Sequence, residues 1–383
     1  MVAAMSVLAA ALTFALATAG GLGGAGHAAF LGGDGASSGA TKPRVRTFDI
    51  VASGDLLIHS PVWERARALG HGHYDFRPLL AHIRPIVRGA DLALCHVETP
   101  MGAGSPSGYP VFNSPPELAR AIAWAGWDAC STASNHTADR GQYGIATTAQ
   151  ALERAGVRHT GSFRSAAEAR RTLLLNVRGL RIAFLSYTYG TNGIPAPHRW
   201  SVNLISRRKV VADARRARRR GADFVVVNFH WGDEFSHELN AAQLQLAHDL
   251  LRRKVVDLIV GQHVHVVQPI RRLHGRFAVF GEGNLISNQT AACCPVESQD
   301  GLIAVIHVRA VGRRATVTGV EYVPTYVEHP SLVVQPVGRR LAELVRSGRG
   351  RSALALELRA SYRRTVRYAG RRIHIRPVPQ ALR

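Results

Sequence analysis

Seven short apolar segments alternate with helix-like segments between residues 47 and 284, and this alternation constrains the fold more than any other feature of the sequence. Several of the seven contain four to six consecutive apolar residues, as is typical of strands buried on both faces. Such alternation predicts an α/β fold, for which a doubly wound sheet is the simplest form. The segments read TFDIVASGD, DLALCHVE, DACSTASNH, RIAFLSYT, DFVVVNFHWG, VDLIVGQHVHV and RFAVFGEGN.

The segments between these strands have helical spacing. Ser114 and Glu117, three residues apart before an apolar stretch, predict a capping box. Residues 207–220 contain eight basic side chains, which we interpret as the solvated face of a helix that leads to the next strand. After residue 300, β-branched residues and turn glycines predict antiparallel strands that complete a sheet. Residues 331–383 are rich in arginine, and we expect a basic C-terminal tail that is partly helical.

The composition is that of a globular protein with an unusually positive charge. Apolar residues make up 46% of the chain, which excludes a disordered protein. The formal net charge is +22, and all but three of the 48 basic residues are arginine. Such a surface attracts acidic polymers, anionic lipid or nucleic acid, although a general preference for arginine explains the composition equally well. The sequence contains no nucleic-acid-binding motif, so we expect no nucleic-acid partner.

The N-terminal residues have the pattern of an export signal. An apolar run from Val7 to Ala19 is followed by small residues, and we predict a signal peptide at residues 1–28 with cleavage after Ala19 or Ala28. An uncleaved anchor is the alternative, because the run lacks a preceding positive charge. A Gly- and Ser-rich stretch then predicts a flexible linker at residues 29–45. We therefore expect an exported, extracytoplasmic protein.

The four cysteines are compatible with an oxidising compartment. Cys95 and Cys130 each lie near the end of a predicted strand, where they either pair or remain buried free thiols. Cys293 and Cys294 are adjacent in a predicted loop. Neither pair has the spacing of a zinc site.

Polar side chains with metal-ligand chemistry follow nearly every predicted strand. In open α/β sheets the carboxyl ends of the strands form the ligand-binding edge, so these groups are expected to converge. Histidine, carboxylate and amide ligands without thiolate suit Zn, Mn or Fe, and a shared carboxylate is typical of a two-metal hydrolytic centre. The residues are Asp55, His59, His96, Glu98, Asn135, His136, Asp139, His230, Glu234, His263, His265 and Glu282.

The same segments resemble the CapA, or poly-γ-glutamate capsule synthesis, family of the calcineurin-like metallophosphoesterase superfamily. The matching motifs are GDLLIH, HVETP, YPVFNSPPEL, SNHTADRGQYGIATTAQAL, FHWGDEF, GQHVHVVQPI and FGEGNL. The resemblance implies a four-layer α/β/β/α sandwich at residues 46–330, with metals at its loop-bearing edge. It refines the doubly wound fold that the pattern alone allows.

The resemblance also implies roles for single residues. Asp55, Glu98 and His265 would bind one divalent ion, and Glu98 would bridge to a second. Asn135, His230 and His263 would complete that second site. His136 would act beside the metals as an acid or a transition-state donor, oriented by Asp139. Glu234 and Glu282 are further candidate catalytic residues near the metals.

The chain departs from the superfamily pattern at three of these positions. Asp55 and His59 are four residues apart instead of two, Glu98 replaces an aspartate, and the charge of Glu282 opposes a phosphate substrate.

Two functions are compatible with these observations. The first is a secreted hydrolase or transferase, dependent on two Mn, Zn or Fe ions, that acts on a phosphoester or a γ-glutamyl amide during synthesis or anchoring of an anionic capsule polymer. The second is a non-catalytic, metal-stabilised accessory protein that binds such a polymer. Capsule-synthesis membrane proteins are expected partners in both cases.

Overall fold

Residues 44–372 and 374–378 are described by the structure, a computed structural model of the chain. The predicted signal peptide and nearly all of the predicted linker lie outside these residues. The strands are β1 Val45–Leu56, β2 Leu92–Val97, β3 Ala129–Ser131, β4 Arg158–Thr160, β5 Leu173–Val177, β6 Leu180–Thr188, β7 Phe224–Trp231, β8 Leu258–His263, β9 Ile270–Leu273, β10 Arg276–Val279, β11 Asn284–Ile286, β12 Asp300–Val311, β13 Arg314–Glu328, β14 Val333–Pro336 and β15 Ile375–Pro377. The helices are α1 Ser60–Leu69, α2 Arg77–Leu80, α3 Arg84–Arg88, α4 Leu118–Ala125, α5 Gly141–Arg154, α6 Ala166–Ala169, α7 Arg207–Arg219, α8 Ala241–Arg252, α9 Val337–Arg346 and α10 Ala353–Ala369, with a 3₁₀ helix at Val296–Gln299.

The strands form two sheets. The larger sheet has the order β14-β13-β12-β1-β2-β3-β4, with β11 beside β1 and β15 beside β13. The smaller sheet has the order β5-β6-β7-β8-β10-β9. Strands β1 to β4 are parallel, as are β6, β7, β8 and β10, whereas β12, β13 and β14 are antiparallel. The antiparallel strands predicted after residue 300 are therefore present.

The two sheets stack face to face, and helices cover their outer faces. Along β1, Ile50 and Ala52 belong to the core between the sheets, whereas Val51 packs in the cluster that contains α1 to α4. The alternation follows from the strand geometry, which points successive side chains to opposite faces. In the smaller sheet, Phe184 faces the shared core and Leu185 packs with α7 and α8. The four-layer α/β/β/α sandwich is confirmed, and a single doubly wound sheet is not formed.

Two local predictions had different outcomes. In α7 the buried Val210, Ala214 and Ala217 lie on one stripe, and the helix connects the parallel strands β6 and β7 as expected. The predicted capping box is wrong, because the N-cap residue of α4 is Glu117 and its side chain makes no cap hydrogen bond. The Ser114 hydroxyl instead pairs with Thr99 Oγ1 at 2.7 Å.

Cys95 and Cys130 lie directly opposite each other on the neighbouring strands β2 and β3, and they form a disulfide. Both residues are buried. The alternative of two free thiols does not apply to this pair. Cys293 and Cys294 are free.

The C-terminal segment is joined to the larger sheet. Strands β14 and β15 both pair with β13. In the sequence, β14 precedes α9 and β15 follows α10. The two helices pack in a small apolar cluster with β13 that includes Tyr326, Leu341, Leu344 and Leu358. Within residues 44–372 and 374–378, no helix has both the length and the apolar character needed to span a bilayer.

Candidate metal centre

The carboxyl ends of strands from both sheets meet at one edge of the sandwich. Asp55 near the end of β1 lies in register with His96 on β2 and with Asn284 on β11. In the smaller sheet Trp231 on β7 lies opposite His263 on β8. Because these strands are parallel, their ends bring polar side chains to a common edge.

Five buried side chains meet at the centre of this edge. His265 Nδ1 lies 3.6 Å from Asp55 Oδ2, and His265 Nε2 lies 3.8 Å from Glu98 Oε1. His230 approaches the same two carboxylates, at 3.8 Å from Asp55 and 3.9 Å from Glu98. His230 Nε2 also lies 2.9 Å from Asn135 Oδ1. Five of the six residues predicted to bind metal are therefore brought together around Glu98.

The sixth, His263, lies at the rim of the same group. Its backbone N–H lies 3.2 Å from Asp55 Oδ2, and its ring nitrogens lie close to ligand atoms of His265 and Glu234. His263 and His265 have φ values of 96° and 58°, which non-glycine residues rarely adopt. The sequence predicts a catalytic role for Glu234. The structure places its exposed carboxylate near His263 and His265, where it is also able to bind a metal.

His96 was not assigned a role from the sequence, yet it belongs to this group. It is fully buried, with Nε2 at 3.7 Å from Asp55 and Nδ1 at 2.8 Å from Ser131 Oγ. Asp55, His96 and His230 together form a group able to hold a cation. The sequence did contain a signal, because residues two apart in a strand point to the same face, and His96 precedes Glu98 by two.

The donor atoms at this edge fit a divalent cation. Several of them are buried without a hydrogen-bond partner among the described residues: both carboxylate oxygens of Glu98, His96 Nε2, His230 Nδ1 and His263 Nδ1. A buried polar group without a partner is costly, and a cation would remove that cost. Two ligands of one tetrahedral zinc ion lie about 3.4 Å apart, close to the separations found here. Imidazole, carboxylate and amide donors suit Zn, Mn or Fe.

Two of the imidazoles are neutral, as metal binding requires, whereas Glu98 and His265 favour their protonated forms when no cation is bound. Burial lowers the pKa of His96 to about 4 and that of His230 well below its usual value, so both rings are neutral and able to bind a cation. Burial raises the pKa of Glu98 well above its usual value, and the nearby charge of Asp55 raises it further. For His265, burial opposes protonation, but Glu98 and Asp55 outweigh it and raise the pKa to about 9.

His136 and Asp139 form a buried pair beside the metal ligands. His136 Nδ1 lies 2.8 Å from Asp139 Oδ2, which also accepts a hydrogen bond from the Phe112 backbone N–H. The Phe112 ring packs edge-on against the imidazole. His136 Nε2 is left to face Asn192 at 3.5 Å. The predicted contact between His136 and Asp139 is present, and it leaves Nε2 as the ring nitrogen turned away from Asp139.

Two further candidates lie outside the groups of ligand atoms. Glu282 is fully buried and accepts a hydrogen bond from Gln262 at 2.6 Å. Burial raises the pKa of Glu282 well above its usual value, which opposes the negative charge expected from the sequence. His59 Nδ1 accepts a hydrogen bond from the Asn288 backbone N–H, and burial lowers its pKa to about 4.

Comparison with known proteins identifies the family of this chain. Residues 49–289 match the family described as bacterial capsule synthesis protein PGA_cap. The capsule biosynthesis protein CapA of Bacillus anthracis is 26% identical over 270 residues, which cover 68% of this chain and 63% of that protein. The PGA biosynthesis protein CapA of Bacillus subtilis is 24% identical over 329 residues, covering 79% and 81% of the two chains.

Among solved structures, the calcineurin-like phosphoesterase YfkN from Bacillus subtilis has a TM-score of 0.51 and 11% sequence identity. The superposition covers 85% of this chain and 99% of that structure. It shows a shared fold. The family match spans more than half of the chain and contains every predicted metal ligand, so the protein belongs to the bacterial capsule synthesis family PGA_cap and has the calcineurin-like metallophosphoesterase fold.

Proposed function

We propose that this protein is an extracytoplasmic metal-dependent hydrolase or transferase that acts in the synthesis or anchoring of an anionic capsule polymer of the poly-γ-glutamate type. The names of the two CapA relatives support the biological role. The bond acted on is a γ-glutamyl amide or a phosphoester.

The observation that carries the catalytic part of the proposal is the position of Glu98. Its carboxylate is buried, lies near both His265 and His230, and has no hydrogen-bond donor within the described part of the chain. Asp55 and His265 lie on one side and would hold one ion with Glu98. Asn135, His230 and His263 would hold a second. A shared carboxylate of this kind is the arrangement used by two-metal hydrolytic centres.

The surrounding residues would position and protonate the substrate. The ions would supply Lewis-acid polarisation of the scissile carbonyl or phosphoryl group. Asp139 accepts a hydrogen bond from His136 Nδ1–H, which leaves Nε2 facing away from it. The imidazolium form of His136 would donate its Nε2 proton to the leaving group, and the neutral ring would regain a proton from solvent. Because His136 is not among the ligand atoms, its role is separable from metal binding.

Location outside the cytoplasm is supported by two features. The predicted signal peptide directs export, and the buried disulfide between Cys95 and Cys130 suits an oxidising compartment. Capsule-synthesis membrane proteins are the proposed partners there.

Elemental analysis and a substrate panel test this proposal. The protein, purified without chelators, should contain two transition-metal ions per chain. It should turn over one member of a panel that contains a chromogenic phosphomonoester, a phosphodiester and a γ-glutamyl anilide. Metal-free native protein would refute the metal centre. Two bound ions without turnover of any substrate, in a protein that cells still need for capsule formation, would favour the non-catalytic accessory function.

A further inference from the structure

We propose that the exposed face of α10 is a binding track for the carboxylates of the anionic polymer. The track consists of Arg359, Arg363 and Arg367. The inference rests on the proposed function, because it identifies where the polymer of that function would lie. It adds a binding surface separate from the metal centre.

The three arginines form one stripe. They are spaced four residues apart, so they lie on the same side of the helix, and all three are exposed. The opposite side of α10 is buried through Ala355, Leu358, Ser361, Thr365 and Ala369. None of the stripe arginines makes an ion pair with another described residue, whereas the neighbouring Arg364 pairs with Asp300 at 2.6 Å. The stripe therefore presents positive charge that the described chain leaves uncompensated.

The surrounding sequence reinforces this charge. Residues 337–372 contain eleven arginines and only two glutamates. Like charges four residues apart on a helix repel one another, so the stripe destabilises α10 unless an anion lies along it. A polymer with regularly repeated carboxylates would relieve this repulsion.

The spacing of the stripe suits such a polymer. Residues four apart on a helix are separated by about 6 Å along its axis. A γ-linked glutamyl repeat contains five backbone bonds and extends over about 6 Å when stretched. Because the repeat has an odd number of backbone bonds, successive carboxylates of an extended chain of one handedness alternate between its two sides. Those on one side recur about every 12 Å, which matches Arg359 and Arg367, eight residues apart on the helix.

Two other residues of α10 contact the edge that contains the metal centre. Arg364 binds Asp300, the first residue of β12, at the edge where the strand ends converge. The Tyr368 ring stacks on His237. His237 lies three residues after Glu234, in the segment that follows β7. A polymer held along α10 would consequently be led towards the ligands at that edge.

Helix α7 provides a matched control because it is equally basic. Much of its charge is compensated, since Lys209 and Arg216 both pair with Asp213 and Arg218 pairs with Asp257. Its exposed arginines without an ion pair to a described residue are Arg208, Arg215 and Arg219, which are spaced by seven and then four residues. They offer the same charge without the even spacing.

Binding of the full chain to purified poly-γ-glutamate, measured by fluorescence anisotropy at about physiological ionic strength, tests the track. The triple substitution Arg359→Gln, Arg363→Gln, Arg367→Gln should weaken binding roughly three- to hundredfold if each exposed ion pair contributes its usual share. The triple substitution Arg208→Gln, Arg215→Gln, Arg219→Gln removes the same charge and should weaken binding clearly less. Equal losses in the two variants would overturn the proposal and show that only net charge matters.

Two further measurements make the result specific. Thermal unfolding should show both variants folded, since all six side chains are exposed. Turnover of a small chromogenic substrate should be unchanged in the α10 variant, since the track holds polymer and not the reacting bond. If the wild-type protein binds polymer through α10 but turns over no substrate, the proposed catalysis fails while the track stands. If it turns over substrate and both variants bind polymer as the wild type does, the track fails alone.

Discussion

Two clusters of carboxylates and imidazoles in this protein contain the same residue types but differ in how the charge of their carboxylates is compensated. The surface cluster contains Glu153, His159 and Glu168. The metal centre contains Asp55, Glu98 and His265, together with His230. Both groups bring their ligand atoms close together, so proximity alone does not distinguish them.

The surface cluster receives its cation from the protein. Arg164 Nη2 lies 2.6 Å from a carboxylate oxygen of Glu153 and 2.6 Å from one of Glu168. The hydrogen bond from Arg164 lowers the pKa of Glu153. Burial of Glu168 opposes ionisation, but Arg164 outweighs it and lowers that pKa too. Arg164, Glu153 and Glu168 therefore form an ion-pair network in which the arginine compensates both carboxylates.

In the described part of the metal centre no arginine or lysine takes this position; the group that approaches both carboxylates is the imidazole of His265, where burial opposes protonation but Glu98 and Asp55 raise the pKa to about 9. Burial raises the pKa of Glu98 instead of lowering it. The comparison shows that the source of the compensating charge separates an ion-pair network from a metal site. It also predicts that equivalent substitutions in the two clusters have different effects.

The largest difference is expected for Glu98→Gln against Glu153→Gln. Loss of a residue that is hydrogen-bonded to a metal ligand lowers metal affinity about 10- to 100-fold. Loss of the bridging ligand itself should therefore lower metal affinity more than about a hundredfold. Glu98→Gln should retain at most one ion per chain and lose turnover, while Glu153→Gln retains both. Elemental analysis and a chelator competition titration measure this. Two tightly held ions in Glu98→Gln would show that Glu98 does not bridge.

His136→Ala should affect chemistry without affecting metal content. General acid–base catalysis typically contributes about a hundred- to ten-thousandfold, so turnover should fall within that range. His159→Ala in the surface cluster should leave turnover unchanged, and His230→Ala should lose both metal and turnover. Steady-state kinetics with parallel metal analysis separates the three outcomes. Full capsule-related function of His136→Ala in cells, combined with its loss in His230→Ala, would favour the accessory function.

Much of this architecture could be predicted from the sequence because strand ends have a strong signature. The residues from Asp55 to His265 follow unbroken apolar segments, and the parallel arrangement leaves them a single edge on which to meet. The α/β class followed from the same alternation. The split into two sheets did not, since an apolar strand buried on both faces has the same pattern in either arrangement. That feature came from the resemblance.

The predictions that differed concern contacts between distant segments. Ser114 has the local pattern of a helix cap, but Thr99 provides a partner for its hydroxyl. Burial, which its sequence neighbours do not reveal, raises the pKa of Glu282 and so opposes the charge expected there. His96 was placed at the correct edge, yet only the fold brings it near Asp55. In each case tertiary surroundings decide the chemistry of a residue whose local pattern is ambiguous.

The smallest expected effect is that of Arg164→Gln on stability. Exposed ion pairs contribute about 0.2 to 1 kcal/mol each, and because Arg164 is more than a third exposed, we expect a loss of about 1 kcal/mol in the free energy of unfolding. Arg164 depresses the folded-state pKa values of Glu153 and Glu168 below 4.5, so its contribution is present above that pH and is lost as the pH falls through the folded values. Urea denaturation at pH 7 and near pH 3 should therefore show a difference in stability between wild type and variant at pH 7 that becomes smaller near pH 3.

The metal content of the Arg164→Gln variant should not change, because Arg164 compensates the charge of the surface cluster and not that of the metal centre. A stability difference of equal size at both pH values would mean that Arg164 acts through packing, and the contrast between an internal and an external cation would then lose its electrostatic basis.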